Sequence, residues 1–263
     1  MGAAAVAARI ALPRAQRNGR ADRCGLVFDE PDRTQVAVCG LVGGSGCSTL
    51  AYLLARQAAR ESQAPVLLTE QNSRGAGLAA LAGQATPHSL ASLARLLATD
   101  DIPDASFVEV EPRLRLLAAA PQRAPAADPD EVRALLREAR AAHGLVVVDC
   151  GTGGPALDWA LTEATHVVWT LPACASAVTR ARLLLASDAL PPPGHWREAL
   201  VVSAIEPAGR PSVRALRRLA AKRCERLVLC PYSEALTRGE LPDDEQRLLR
   251  ALSGLAPTLR RAT

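Results

Sequence analysis

The chain has 263 residues, 49% of them hydrophobic and 22% charged, the make-up of a globular protein with a sizeable core. No apolar run approaches the roughly 20 residues of a membrane-spanning helix, and seven cysteines without a CxxC spacing argue against a disulfide framework or zinc site and for a reducing cytoplasm. The net charge of +4 sits in residues 1–26, where five arginines face one aspartate; the other 237 residues balance at 26 basic and 26 acidic, so bulk charge predicts no nucleic-acid partner.

Residues 1–34 read as a disordered basic N-terminal tail. The apolar stretch Ala3–Ile10 is short and Ala-rich, and its charges follow it, the reverse of a secretory signal. From Val36 short apolar runs alternate with amphipathic stretches, the pattern of βαβ units. Val36–Leu41 is the first predicted strand. A glycine-rich turn leads to a helix from about Ser48 to Glu61, with Leu50, Leu53, Leu54 and Ala58 on one face. Pro65–Thr69 is the second strand. A helix follows from about Pro87, with Thr86 as its N-cap and Leu90, Leu93 and Leu97 inward.

Phe107–Val110 and Leu114–Ala118 read as short strands around Pro112. Asp128-Pro129-Asp130-Glu131 is a helix start with a capping side chain, an early Pro and an acid three residues on. Leu145–Val148 is a continuous apolar run, as a central parallel strand buried on both faces requires. Further strands at Val167–Leu171, Leu200–Ser203 and Leu227–Cys230 alternate with helices near 174–189 and 211–223. This order predicts one doubly wound α/β domain over residues 35–263, with a mainly parallel sheet and helices on both faces. For the stretch from Asp243, with Leu248, Leu249, Leu252 and Leu255 on one side, packing on the sheet is favoured over peripheral membrane contact.

Gly43-Gly44-Ser45-Gly46-Cys47-Ser48-Thr49 lies between the first strand and first helix. Glycines there let successive backbone N–H groups turn inward, and the helix start adds its positive end, which together make an anion cradle. A phosphate-binding loop of the form GxxxxGK[ST] also needs a lysine for the outer phosphates and a hydroxyl for Mg²⁺. Cys47 stands in the lysine's place.

Val42-Gly43-Gly44-Ser45-Gly46-Cys47-Ser48-Thr49 resembles the deviant P-loop of the MinD/ParA family, with Val42 where that family carries its signature lysine. The resemblance continues over residues 36–250. Val66–Asn72 occupies the place of a strand ending in two acids, matched here by Glu70 and Asn72, and Gly75 to Leu78 resembles the glycine pair that follows. Val146–Gly153 resembles the Walker B strand, with Asp149 as its acid. Ser203 stands where the family reads adenine with Asn, and Pro231 lies in the matching late loop. The resemblance implies a P-loop NTPase-like fold and a nucleotide site at Gly43–Thr49, with Ser203 and Pro231 on the adenine side. Ser48 and Asp149 would hold Mg²⁺ only when nucleotide is present.

Glu70 and Asp149 are then vestigial catalytic candidates, and no catalytic residue is expected, because both lysine positions lack their cations. The implied role is that of a degenerate, cytoplasmic positioning or scaffold factor, near the septum-site and pilus-assembly branch, binding ATP weakly if at all. Its partners would be proteins of a localisation or assembly machinery, and a homodimer across the P-loop is implied. A slow ATPase using Arg74 or a partner's arginine is the alternative. Gly40-x-x-x-Gly44-x-Gly46 also fits a short-chain dehydrogenase, but the Tyr-x-x-x-Lys pair is missing, since Tyr52 and Tyr232 are followed four residues on by Arg56 and Leu236. Cys47 reads as a neutral filler rather than a reactive thiol.

Overall fold

Runs of small and β-branched apolar residues with no polar face form the middle of the sheet. Val36, Ala37 and Val38, and again Val146, Val147 and Val148, are fully buried, as strands covered on both sides require. The structure, a computed structural model, describes residues 34–71, 77–98, 106–118, 127–152, 157–186, 190, 192, 194–203, 213–237 and 246–255. In chain order the elements begin β1 (Thr34–Gly40), α1 (Cys47–Glu61), β2 (Val66–Glu70), α2 (Gly77–Ala82), α3 (Leu90–Ala98), β3 (Val108–Glu111) and β4 (Leu114–Leu117). They continue with α4 (Pro129–Ala142), β5 (Leu145–Asp149), α5 (Leu157–Glu163), β6 (His166–Pro172), α6 (Ala175–Ala186) and β7 (Arg197–Ser203). The last are α7 (Val213–Ala220), β8 (Arg226–Cys230), α8 (Glu234–Thr237) and α9 (Gln246–Ser253).

The strands form one sheet in the order β3-β4-β2-β5-β1-β6-β7-β8. Every neighbouring pair is parallel except β3 and β4, a hairpin whose turn places Arg113 at φ 67°. One face is covered by α1, α2 and α9, and the other by α3 to α7. This is the predicted doubly wound architecture. Leu248, Leu252 and Leu255 are buried with Val228 and Cys230, so α9 packs on the sheet; the Leu249 side chain lies outside the described residues.

Local signals were read correctly at α4 and incorrectly at α3. Asp128 accepts from the Asp130 N–H at 2.8 Å while Glu131 accepts from the Asp128 N–H at 3.4 Å, a reciprocal cap. Thr86 caps nothing. Its hydroxyl donates to the His88 carbonyl at 2.6 Å and accepts from the Ala118 N–H at 3.0 Å, tying the loop to the end of β4. The cap of α3 is Ser89, which exchanges backbone-to-hydroxyl bonds with Ser92 at 3.1 and 2.8 Å.

β7 begins three residues before the predicted Leu200 because it carries a buried acid. Glu198, 4% exposed, accepts from Trp196 Nε1 at 2.7 Å, Trp169 Nε1 at 2.9 Å and Arg223 Nε at 2.6 Å. The Arg223 guanidinium also lies 5.1 Å from the Trp169 ring centre. This knot fastens the turn after α7 to the sheet. Removing one partner of a buried ion pair costs about 3–5 kcal/mol, so Glu198→Ala should lower the unfolding free energy by that order. Denaturant titration followed by tryptophan fluorescence measures it.

Candidate functional site

β1 lies between β5 and β6, and the chain leaves it first towards β2, beyond β5, and returns later on the other side as β6. That reversal opens a crevice at the C-terminal strand ends, where such sheets bind ligands. Gly43–Gly46 occupy it as the loop between β1 and α1, and Asp149 ends β5 in register with Val38. Ser48 and Asp149 are therefore on the same edge of the sheet.

The loop is folded hard against its neighbours. Gly40 N–H donates to the Gly151 carbonyl at 2.6 Å, Leu41 N–H to Thr170 at 3.0 Å, and Cys150 N–H to Val38 at 2.9 Å. A Cβ on Gly40 would lie 2.5 Å from Ser45 Oγ, so only glycine allows the loop to double back here. Ser45 is buried and its Oγ accepts from the Thr170 hydroxyl at 2.7 Å, which turns this side chain into the protein. Gly43, Gly44 and Gly46 stay exposed. Gly44 and Gly46 take φ values of 71° and 77°, and Gly46 precedes α1 without a side-chain cap. Exposed loop amides and an uncapped helix start remain able to hold an anion.

The two positions expected to carry cations are sealed. Val42 is 8% exposed and belongs to the apolar layer beneath α3 to α7. Cys47 is 7% exposed, with Sγ 3.0 Å from both Asp149 Oδ1 and the Val38 carbonyl, so its one proton donates to either. Burial, and then the charge of Asp149, hold this thiol well above the ordinary range. Cys47 is a neutral filler, and the helix start does not activate it. Asp149 Oδ1 also accepts the Gly151 N–H at 3.0 Å, with Gly151 at φ 62°.

Glu70 ends β2 in register with Asp149. This vestigial catalytic candidate is 4% exposed. Oε2 accepts the Leu78 N–H at 3.3 Å, and the buried Oε1 has no partner among the described residues. Burial pushes its carboxyl up to about 7, against the Leu78 N–H, and the Asp149 charge adds to the rise. A Cβ on Gly77 would lie 2.9 Å from Ser48 Oγ, so α2 starts directly against that hydroxyl.

Ser203 and Pro231 share the same edge further along the sheet. Ser203 ends β7 in register with Cys230, its carbonyl accepting from Ala173 N–H at 2.8 Å, and Pro231 follows β8. Thr49, half-buried, lies in the first turn of α1. Asn72, Arg74, Gly75 and Gly153 lie outside the described residues. Among the described residues no group of three or more His, Cys, Asp or Glu is arranged to hold a metal ion. The sequence places Gly77 and Gly151 in segments matched to the family but gives neither of them, nor Thr170, a part in the site; in the structure all three pack against the cradle. Of these only Gly151, directly after an acid and a cysteine at a strand end, carries a readable turn signal.

A carboxyl raised on folding holds a proton that the unfolded chain has released, so its ionisation weakens the folded state. Wild-type stability should therefore fall as pH rises from about 4.5 to about 7 and level off above it. Glu70→Gln should remove that slope and leave the protein more stable above pH 7, by on the order of 2 kcal/mol. Melting curves of both proteins from pH 5 to 8.5 test the prediction.

The sequence matches no family model and no curated protein. The structure does find relatives. It is similar to a ParA family ATPase from Chlorobium tepidum at TM-score 0.64 and 17% identity, covering 87% of this chain and 96% of that one. It is also similar to the Aquifex aeolicus MinC:MinD cell division protein complex, at TM-score 0.65 and 17% identity over 86% and 95% of the two chains. A Cyanothece McdA variant in complex with ATP aligns at TM-score 0.62 and 16% identity over 87% and 96%. The architecture is therefore a MinD/ParA-like fold, carried by a strongly divergent sequence.

Proposed function

We propose that this chain is a positioning or scaffold protein of MinD/ParA-like fold that works without nucleotide turnover. The observation carrying the reading is the fate of the two cation positions: Val42 lies in an apolar layer, and the Cys47 thiol rests on Asp149. Phosphoryl transfer asks the protein chiefly for positioning and for stabilisation of charge on the migrating group. At these two positions the chain offers an isopropyl group and a neutral thiol. The cradle amides of Gly43 to Ser48 fit a phosphate, but the edge beside them presents Glu70 and Asp149, which repel a polyanion. Ser48 and Asp149 would complete an Mg²⁺ shell only around bound nucleotide.

A protein that acts by contact needs a surface for partners. α6, which follows β6 out of the same edge, exposes Leu183 at 68% beside exposed Arg180 and Arg182. An exposed leucine set among arginines is the kind of anchor protein interfaces use. One Aquifex neighbour of this fold is a complex with a second protein, which supports a protein partner here. The slow-ATPase alternative needs a cation from Arg74 or from a partner. The dehydrogenase reading loses its chemistry, because Tyr52 is buried in the apolar layer under α1 and Arg56 is paired with Glu111 at 2.7 Å.

Purified protein should release no phosphate from Mg·ATP above background, and Asp149→Ala or Glu70→Ala should change nothing in that assay. Steady hydrolysis abolished by Asp149→Ala would put the slow ATPase first. Val42→Lys with Cys47→Lys should strengthen ATP binding before any turnover appears.

A further inference from the structure

The two edges of the sheet are finished differently. At one edge β3 carries Glu109 and Glu111, and its pairing with β4 slips between them. Glu109 is exposed, and Glu111 is tied to Arg56 at 2.7 Å. Charge and a broken register are how proteins keep an edge from pairing further. At the other edge β8 reads Arg226-Leu227-Val228-Leu229-Cys230, with a single charge at its start and an unbroken register against β7. Among the described strands β8 pairs with β7 alone.

Glu225 N–H donates to the Glu198 carbonyl at 2.9 Å, so by alternation Leu227 and Leu229 face β7, and Arg226, Val228 and Cys230 turn N–H and C=O outward. The side chains of β8 are sorted by face. Val228 and Cys230 are buried with α9, and Leu227 packs into the layer that holds α7. Leu229, on the α7 side, is 42% exposed, and Val213, which starts α7, is 43% exposed. Because α7 links β7 to its parallel neighbour β8, its start lies at the same end of the edge as Leu229. Of the three large apolar side chains exposed among the described residues, two therefore sit at this corner.

We infer that the β8 edge docks an extended segment of a partner protein, added to the sheet as a further strand in which apolar residues alternate with acids. Strand addition draws affinity from main-chain bonds and specificity from side chains on alternate faces. On the α7 side the segment's apolar residues lie opposite Leu227 and Leu229. On the α9 side its acids meet Arg226, which is exposed and has no acidic partner among the described residues. Charge selects this occupant. Neither α7 nor α9, the helices covering the two faces of β8, contains an acid, and Arg218 and Arg250 are exposed on them. A second copy would set these cations against their own kind, and like charges facing each other across paired strands are destabilising. The surface is separate from Leu183 on α6, and the inference stands whether or not ATP binds at the cradle.

The test is fluorescence anisotropy of the full chain with labelled peptides of about eight residues, the length of an ordinary strand. An alternating Val-Glu peptide should bind about tenfold more tightly than an alternating Val-Lys peptide. The Val-Glu peptide with every amide N-methylated has no backbone donors left and should not bind. Leu229→Glu should weaken binding of the Val-Glu peptide about tenfold, and Arg226→Glu should shift the preference towards the Val-Lys peptide. Both side chains are exposed, so an unchanged melting temperature verifies the fold of each variant. Binding that survives N-methylation would overturn the inference, because charge alone would then account for it. So would equal binding of the two peptides, no binding of either, or a preference left unchanged by Arg226→Glu. A dimer in light scattering that Leu229→Glu dissolves would also overturn it, by giving the edge to a second copy.

Discussion

The structure turns on the closure of the loop after β1 against the end of β5. Gly40 meets the Gly151 carbonyl at 2.6 Å, Cys150 bonds back to Val38, and the Cys47 thiol rests on Asp149. A lysine at 47 would bring an ammonium and a four-carbon stem to a position that now holds a short thiol at 7% exposure. The contact therefore settles two things at once. It caps one oxygen of Asp149 with a hydrogen bond from a neutral donor and leaves the carboxylate charge in place, and it ties the start of α1 to the end of β5.

What remains is the geometry of an anion site with its electrostatics inverted. The loop amides and helix start still favour negative charge, but Glu70 and Asp149 stand in register on adjacent strands with no described cation between them. Burial, with a smaller push from the Asp149 charge, holds the proton of Glu70 up to about 7. Such an arrangement suits a fold retained for its surfaces. The clamp at Glu198 and the two apolar layers show where rigidity is invested: at the far end of β7 and under α7, away from the cradle.

Much of this was legible in the sequence because it rests on backbone requirements. The glycines of the loop, the unbroken apolar run ending at Asp149, and the Asp128 cap each demand one local conformation, and each took it. Boundaries set by side-chain chemistry were not legible. A glutamate inside a strand reads as a strand end, so β7 was started at Leu200, and the tryptophans that make Glu198 tolerable are distant in sequence. Thr86 and Ser89 both suit a helix cap, and only the end of β4, far along the chain, decides between them. The burial of Glu70 was not legible either, because nothing local reveals that its Oε2 meets the start of α2 at Leu78.

The central claim is that the cradle has lost its hold on nucleotide because its cations are gone. Each missing charge-assisted contact is worth about 1.5–3 kcal/mol, so two of them weaken binding by a factor of roughly 10² or more. Isothermal titration of the wild-type protein with Mg·ATP measures this directly. A dissociation constant of about 100 µM or weaker is the expected result, and saturable binding at a few micromolar or tighter, lost on Asp149→Ala, would contradict it.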